Sequence, residues 1–138
     1  MKEKHVIIPT ADGRMETFVT HPERPGPFHA VVLYMDVWGI REELYDVARR
    51  IGTVGYYVMV PDLYYRQGRV RNAYRDAHGR MISLHALAQA DQDKVLAPLA
   101  HLTNTMVVRD TGSLIAHLKS EAARGEPVKI GAMGSIGY

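Results

Sequence analysis

Asp36 is an acidic residue in a place that suits acid–base chemistry. It directly follows residues 30–35, which are mostly apolar, so its carboxylate would be partly withdrawn from water. Such a group could orient or protonate a nucleophile. The alternative is structural, because Asp36 could instead cap the following helix or pair with Arg41. Trp38 and Gly39 have the corresponding alternative of a packed aromatic side chain and a turn.

An arginine-rich segment, residues 65–80, is the second group of side chains that could carry chemistry. Five arginines lie there between Tyr65 and Tyr74 or close to them, and together they could bind phosphates or stack on bases. A solvated loop is the favoured interpretation, and an anionic small substrate near the strand ends comes second. The arginines are Arg66, Arg69, Arg71, Arg75 and Arg80.

The glycine-rich end of the chain, VKIGAMGSIGY, fails the tests for two known motifs. It has G-x-x-G-x-x-G where dinucleotide-binding proteins have G-x-G-x-x-G followed by a helix, so nucleotide binding is disfavoured. A serine elbow needs a small residue two positions before the serine, but Met133 stands there before Ser135. Ser135 is therefore not predicted to be a nucleophile. The seven histidines show no paired metal-ligand spacing, and we expect no metal and no cofactor.

The composition is that of an ordinary single domain. The 138 residues are 46% hydrophobic and 23% charged, with a net charge of +2, so no overall field favours nucleic acid or an anionic membrane as a partner. The absence of cysteine excludes disulfides and a cysteine nucleophile within these residues. No apolar stretch is long enough for a signal peptide or a membrane span, and we expect a cytoplasmic protein.

The first half of the sequence predicts a hairpin followed by a crossover. Two β-rich runs are separated by Asp12-Gly13, which is typical of a hairpin. Residues 29–35 and 56–60 are apolar at successive positions, as in strands buried on both faces of a parallel sheet. Between them, apolar residues at helical spacing predict an amphipathic helix over residues 40–54. A strand, a helix and a strand in this order form a right-handed parallel crossover.

The second half predicts further helices and a last strand. Residues 81–102 have a helical pattern that Pro98 interrupts. Thr103 and the two residues after it offer N-caps to a helix that runs to about Arg124. The final VKIGAMG predicts a third parallel strand. The complete pattern is α/β with a doubly wound sheet.

The segment YMDVWGIREELYDVARRIGTVGYYVMVPDLYYRQG strongly resembles the dienelactone hydrolase family of α/β-hydrolases. Its members show an acidic residue, two hydrophobic residues and glycine after one strand, then a helix and a Gly-Tyr strand that ends in Pro-Asp-Leu-Tyr. The resemblance extends more loosely over the opening hairpin and the helix before the last strand. It implies that residues 1–138 form one partial domain, the N-terminal half of an α/β-hydrolase doubly wound sheet, with an antiparallel hairpin, parallel strands and flanking helices.

The resemblance also implies roles for a few residues. Asp36 matches a position, usually glutamate, that contacts the nucleophile, and Val37 matches the residue whose backbone N–H forms half of the oxyanion hole. Three further side chains are implied to bind substrate, namely Arg66, Arg80 and Trp38. Two residues are implied to form the approach to the nucleophile elbow, namely Gly137 and Tyr138.

The activity that the resemblance implies is hydrolysis of a small-molecule carboxylic ester or lactone through an acyl-enzyme. In the family, a strand that ends in Gly-Tyr-Cys-x-Gly carries the nucleophile. This chain stops at Gly137-Tyr138, so we expect it to end at or just before the elbow and to be inactive as printed. We interpret GSIGY as an insertion; in the alternative register Gly134 is the elbow glycine and Ile136 falls at the nucleophile position.

The last strand would lie at the edge of such a half sheet. An apolar, glycine-rich edge strand readily pairs with another chain, so we expect self-association or another partner along it, or a longer natural protein. A non-catalytic oligomerisation or binding module with the same half fold is therefore the alternative to a hydrolase. A nucleotide-binding α/β domain is the least favoured third hypothesis.

Overall fold

A five-stranded mixed sheet with helices on both faces organises the chain. The computed structural model describes residues 1–137, apart from the side chain of Ala132. The strands are β1 (Lys2–Thr10), β2 (Gly13–His21), β3 (Phe28–Tyr34), β4 (Tyr56–Pro61) and β5 (Val128–Gly137). The helices are α1 (Glu42–Thr53), α2 (Gln89–Ala100) and α3 (Asn104–Ala123), with short 3-10 turns at Tyr65–Gln67 and Leu84–Ala86.

The order of the strands across the sheet is β1-β2-β4-β3-β5. The hairpin β1–β2 is antiparallel, and β2 joins β4 in the same sense. β3 pairs in parallel with β4 on one side and with β5 on the other. This arrangement confirms the predicted α/β class, with an opening hairpin and three parallel strands.

The apolar runs of β3 and β4 are continuous because both faces of the sheet are covered. α1 packs on one face through Leu44 and Ala48, and α3 packs on the other through Leu114 and Leu118. Thr103 caps α3 as predicted, since its side chain accepts a hydrogen bond from the Met106 N–H at 3.2 Å. Among residues 1–137 there is no helix of the length and hydrophobicity that crossing a membrane requires.

The predicted interruption at Pro98 is wrong, because α2 continues through it to Ala100. Pro98 lies in the last turn of the helix, where its missing N–H removes a single hydrogen bond close to the end. The helix also begins later than the pattern indicated, at Gln89, after the 3-10 turn at Leu84–Ala86.

β5 pairs with β3 after an irregularity three residues long. Lys129 lies opposite His29, but the next partner, Ala30, lies opposite Met133, so residues 130–132 have no partner in β3. The extra residues are therefore placed upstream of the GSIGY segment that we interpreted as an insertion. Among the described residues β5 pairs on one side only, and Ile136 is 41% exposed. Self-association along this edge stays a prediction.

Candidate active site

A hydrogen-bonded turn begins two residues after the end of β3 and forms the centre of the site. Its residues are Asp36, Val37, Trp38 and Gly39, and the Gly39 N–H donates to the Asp36 carbonyl at 3.0 Å. Gly39 has φ +77°, and a Cβ at this position would lie 3.2 Å from the ring of Tyr64. Only glycine adopts this backbone conformation easily and also leaves room for the ring. The turn alternative that the sequence left open for Gly39 is confirmed.

Each of the four carbonyls of the turn has a hydrogen-bond donor. The Asp36 carbonyl accepts from Gly39, and the Val37 carbonyl accepts from the Tyr64 hydroxyl at 2.9 Å. The Trp38 carbonyl accepts from the Asn72 side chain at 2.9 Å. The Gly39 carbonyl accepts from Arg41 Nη1 at 3.1 Å. The turn is therefore fixed from inside and from two other segments of the chain.

The Val37 N–H is the open donor of this turn. The Trp38 N–H donates to Asp36 Oδ1 at 3.1 Å and the Gly39 N–H is used within the turn. Within the described part of the chain, the Val37 N–H has no acceptor at hydrogen-bond distance. In a trans peptide the C=O and N–H point in opposite directions, and the Asp36 carbonyl points into the turn. The Val37 N–H therefore points out of the turn, fixed in direction and free to donate.

Asp36 binds its own turn through both carboxylate oxygens. Arg41 Nη1 donates to Oδ1 at 2.6 Å and Nη2 donates to Oδ2 at 3.0 Å, while Oδ1 also accepts from Trp38. The predicted pairing with Arg41 is confirmed. The Asp36 side chain keeps 24% of its surface exposed, so part of the carboxylate stays accessible. Its predicted contact with a nucleophile stays a prediction.

Tyr64, three residues after the end of β4, supports the turn through its hydroxyl. Asp62 Oδ1 accepts the Tyr64 N–H at 3.0 Å, and Arg71 donates to Asp62 Oδ2 at 3.0 Å. Burial raises the pKa of Tyr64 to about 12, and the carboxylates of Asp36 and Asp62 add to this effect. The hydroxyl thus stays protonated at neutral pH and above, and it keeps donating to the Val37 carbonyl.

The end of β5 lies beside this turn. β3 and β5 are parallel, and Gly137 is the partner of Tyr34, two residues before Asp36. The carboxyl ends of parallel strands share one edge of a sheet, which is where ligands bind in open α/β folds. Gly137 thus lies at this edge of the sheet. Its role in the approach to an elbow stays a prediction, and Tyr138 lies outside the described residues.

Trp38 is packed, as the structural alternative predicted. It is 9% exposed and meets the ring of Tyr74 edge-on, with 6.4 Å between ring centroids. Substrate binding by Trp38 stays a prediction.

Arg66 and Arg80 lie in ion pairs apart from the turn. Arg66 donates to both oxygens of Asp110, at 2.9 and 2.8 Å, and to Asp12 at 2.8 Å. Asp110 is buried in α3, and Tyr65 also donates to it at 2.8 Å. Arg80 is exposed and pairs with Asp76 at 3.3 Å. With its donors occupied by carboxylates, Arg66 connects the hairpin, the loop after β4 and α3; its predicted role in substrate binding is not tested by these contacts.

Sequence reasoning missed two supports of the turn, Tyr64 and Asn72. Asp62 followed two residues later by Tyr64 is an Asx-type pattern that signals the local bond to the Tyr64 N–H, but it does not mark the bond of the Tyr64 hydroxyl to Val37. Asn72 lies in an irregular segment with no periodicity, and nothing in the sequence marks its bond to Trp38.

Comparisons with known proteins found a family model and named relatives that match this chain. The model of the dienelactone hydrolase family matches residues 15–138. A protein of Methylorubrum extorquens named as a carboxymethylenebutenolidase is 37% identical over 65 residues, which are 47% of this chain and 22% of that protein. One of Escherichia coli K12, similarly named, is 29% identical over 98 residues, 70% of this chain and 35% of that protein.

A solved structure shows the same fold. The crystal structure named as a dienelactone hydrolase from Klebsiella pneumoniae superposes with a TM-score of 0.71 at 21% identity, over 99% of this chain and 49% of that one. The chain therefore spans about half the length of that structure, and a smaller share of the curated relatives that it matches.

Proposed function

Because the chain belongs to the dienelactone hydrolase family, we propose that it supplies the oxyanion-binding half of a hydrolase site for carboxylic esters or lactones. The observation that supports this proposal is the open Val37 N–H, in a turn whose four carbonyls are all occupied. A donor that is fixed before the substrate arrives stabilises developing negative charge without reorganisation.

The proposed reaction proceeds through an acyl-enzyme. A nucleophile positioned after β5 attacks the carbonyl carbon of the substrate. The carbonyl oxygen becomes an oxyanion, which accepts a hydrogen bond from the Val37 N–H. The tetrahedral intermediate collapses, the bond from carbon to the alkoxy oxygen breaks, and the alcohol leaves with the proton that the nucleophile lost. Water then attacks the acyl group, releases the acid and regenerates the nucleophile. In a lactone the leaving alcohol stays attached to the acyl group.

Asp36 is proposed to contact the nucleophile, because β5 ends beside the strand that leads into Asp36. An aspartate is one methylene shorter than the glutamate usual in the family, and Arg41 holds it against its own turn. We expect its main effect to be electrostatic orientation of the nucleophile, with the second oxyanion donor coming from the residue after the nucleophile. The predicted inactivity of the chain as printed stays a prediction.

Two chimeras test the proposed function. Each joins this chain to the second half of an active family member, starting at its nucleophile, either after Ser135 or after Tyr138. We expect at least one folded chimera to hydrolyse short 4-nitrophenyl esters and a small lactone, because the turn already presents its donor.

A matched control carries alanine at the nucleophile of each chimera. Activity that survives this change would come from another source. Two chimeras with native circular dichroism and cooperative unfolding, but without ester or lactone turnover, would contradict the proposal.

A further inference from the structure

Arg41 is bonded to both ends of the turn that presents Val37. Its Nη1 and Nη2 atoms donate to the two carboxylate oxygens of Asp36 at 2.6 and 3.0 Å. Nη1 also donates to the Gly39 carbonyl at 3.1 Å. The Arg41 side chain is 6% exposed. A bidentate guanidinium pair fixes the plane of a carboxylate, which a lysine ammonium does not do.

The Asp36 carboxylate passes this constraint to the backbone. The oxygen that receives Arg41 Nη1, Oδ1, is the same one that accepts the Trp38 N–H. Rotation of the carboxylate would therefore release the Trp38 N–H, while loss of Arg41 would also release the Gly39 carbonyl. We propose that Arg41 is a positioning residue, which fixes the direction of the Val37 N–H by holding Asp36. That this N–H is an oxyanion donor rests on the proposed function, but its positioning does not.

Amide hydrogen exchange of the chain itself tests Arg41. We expect Arg41→Gln to accelerate exchange of the Trp38 and Gly39 amides at least tenfold relative to amides of β4, and Arg41→Lys to restore little of the protection. The matched control is Arg49→Gln, since Arg49 is on the same helix and pairs with carboxylates, but at the surface. Arg49→Gln should leave the exchange rates of the Trp38 and Gly39 amides unchanged.

A double-mutant cycle with Asp36→Asn separates positioning from general support. If Arg41 acts through Asp36, the changes in Trp38 exchange caused by the two single substitutions should fail to add in the double variant. Additive effects, or unchanged Trp38 and Gly39 exchange in both Arg41 variants, would overturn the inference. Neither result depends on turnover, so inactive chimeras and a wrong role for Arg41 are distinguishable.

A different observation concerns β5, whose sequence repeats every three residues. In IGAMGSIG an isoleucine or methionine is followed by glycine, and then by alanine or serine. The residues opposite Ala30 to Tyr34 in the structure are Met133, Gly134, Ser135, Ile136 and Gly137. If the pairing at Lys129 simply continued, the same positions would receive Ile130, Gly131, Ala132, Met133 and Gly134.

The two registers present equivalent residue types at every position. A large apolar residue meets Ala30 and Leu33, glycine meets Val31 and Tyr34, and a small residue meets Val32 in both. An odd slip of a strand normally exchanges its buried and exposed faces, but this repeat removes that penalty. We infer that β5 pairs with β3 in two registers three residues apart, one with residues 130–132 unpaired and one without this irregularity.

Disulfide trapping can separate the two registers, because the chain has no cysteine of its own. Leu33→Cys with Ile136→Cys reports the register of the structure, and Leu33→Cys with Met133→Cys reports the other. We expect both pairs to cross-link under mild oxidation with yields within about threefold of each other, as peptide mapping by mass spectrometry would measure. Two residues along a strand exceed the reach of a disulfide, so Leu33→Cys with Gly131→Cys is the negative control. Efficient cross-linking of one pair alone, whichever it is, would overturn the two-register inference.

Discussion

Replacing Val37 with proline in an active chimera is expected to lower kcat about 10²- to 10³-fold, the usual effect of removing one oxyanion donor. Val37 is the first central residue of the turn, a position where proline is favoured. The substitution therefore deletes the N–H with little cost to the backbone, and no hydrogen bond within the described chain is lost. KM should change much less than kcat, because the donor acts chiefly in the transition state.

Val37→Ala is the matched control for this prediction. It keeps the N–H and removes only most of the side chain, so kcat should stay within about threefold of the unmodified chimera. This change is much smaller than the fall in kcat expected when the donor is lost. Steady-state kinetics with a 4-nitrophenyl ester and thermal unfolding of both variants complete the measurement. Equal kcat values for the proline and alanine variants would mean that the Val37 N–H does not bind the oxyanion.

Asp110→Ala is expected to destabilise the fold by about 3 kcal/mol, the scale for removing one partner of a buried ion pair. Asp110 is 1% exposed and accepts hydrogen bonds from Arg66 Nη1 and Nη2 and from the Tyr65 hydroxyl, so its loss removes three hydrogen bonds in a largely enclosed place. Its partners belong to the loop after β4, and the same cluster reaches the hairpin through Asp12. Without Asp110, the hairpin, the loop after β4 and α3 would separate more easily.

Urea denaturation followed by far-ultraviolet circular dichroism measures this loss as a fall in the midpoint. Asp12→Ala removes the exposed carboxylate on the same arginine and should shift the midpoint very little, as is usual for surface ion pairs. Similar shifts for the two variants would contradict a structural role of the buried pair. A large effect of Asp110→Ala would also make Arg66 a structural residue first, whatever it contributes to substrate binding.

The sheet was predictable because short segments of the sequence are sufficient to identify its strands. Uninterrupted hydrophobicity predicts buried strands at residues 29–35 and 56–60. In the structure, β3 and β4 begin and end within one residue of these bounds. The helix pattern after Asp36 was equally readable, since Leu44 and Ala48 recur at helical spacing and both are buried. Local periodicity and turn residues were sufficient for these elements.

The supports of the site were not predictable in the same way. Arg66 meets Asp110 across 44 residues, and Tyr64 reaches the Val37 carbonyl across 27. Such contacts depend on how the elements pack and have no periodic signal. The resemblance could place the Val37 N–H in an oxyanion hole, but only the structure shows which groups hold each carbonyl around it. The course of α2 through Pro98 likewise depended on where the helix ends.

The chain contains a single tryptophan, and it is residue 38 of the turn. All indole emission therefore originates one residue from Val37, at a tryptophan that is 9% exposed. Loosening of the turn would admit water to this ring and shift its emission to longer wavelength. The protein thus carries a built-in optical probe of its own candidate oxyanion hole, readable in real time without labelling.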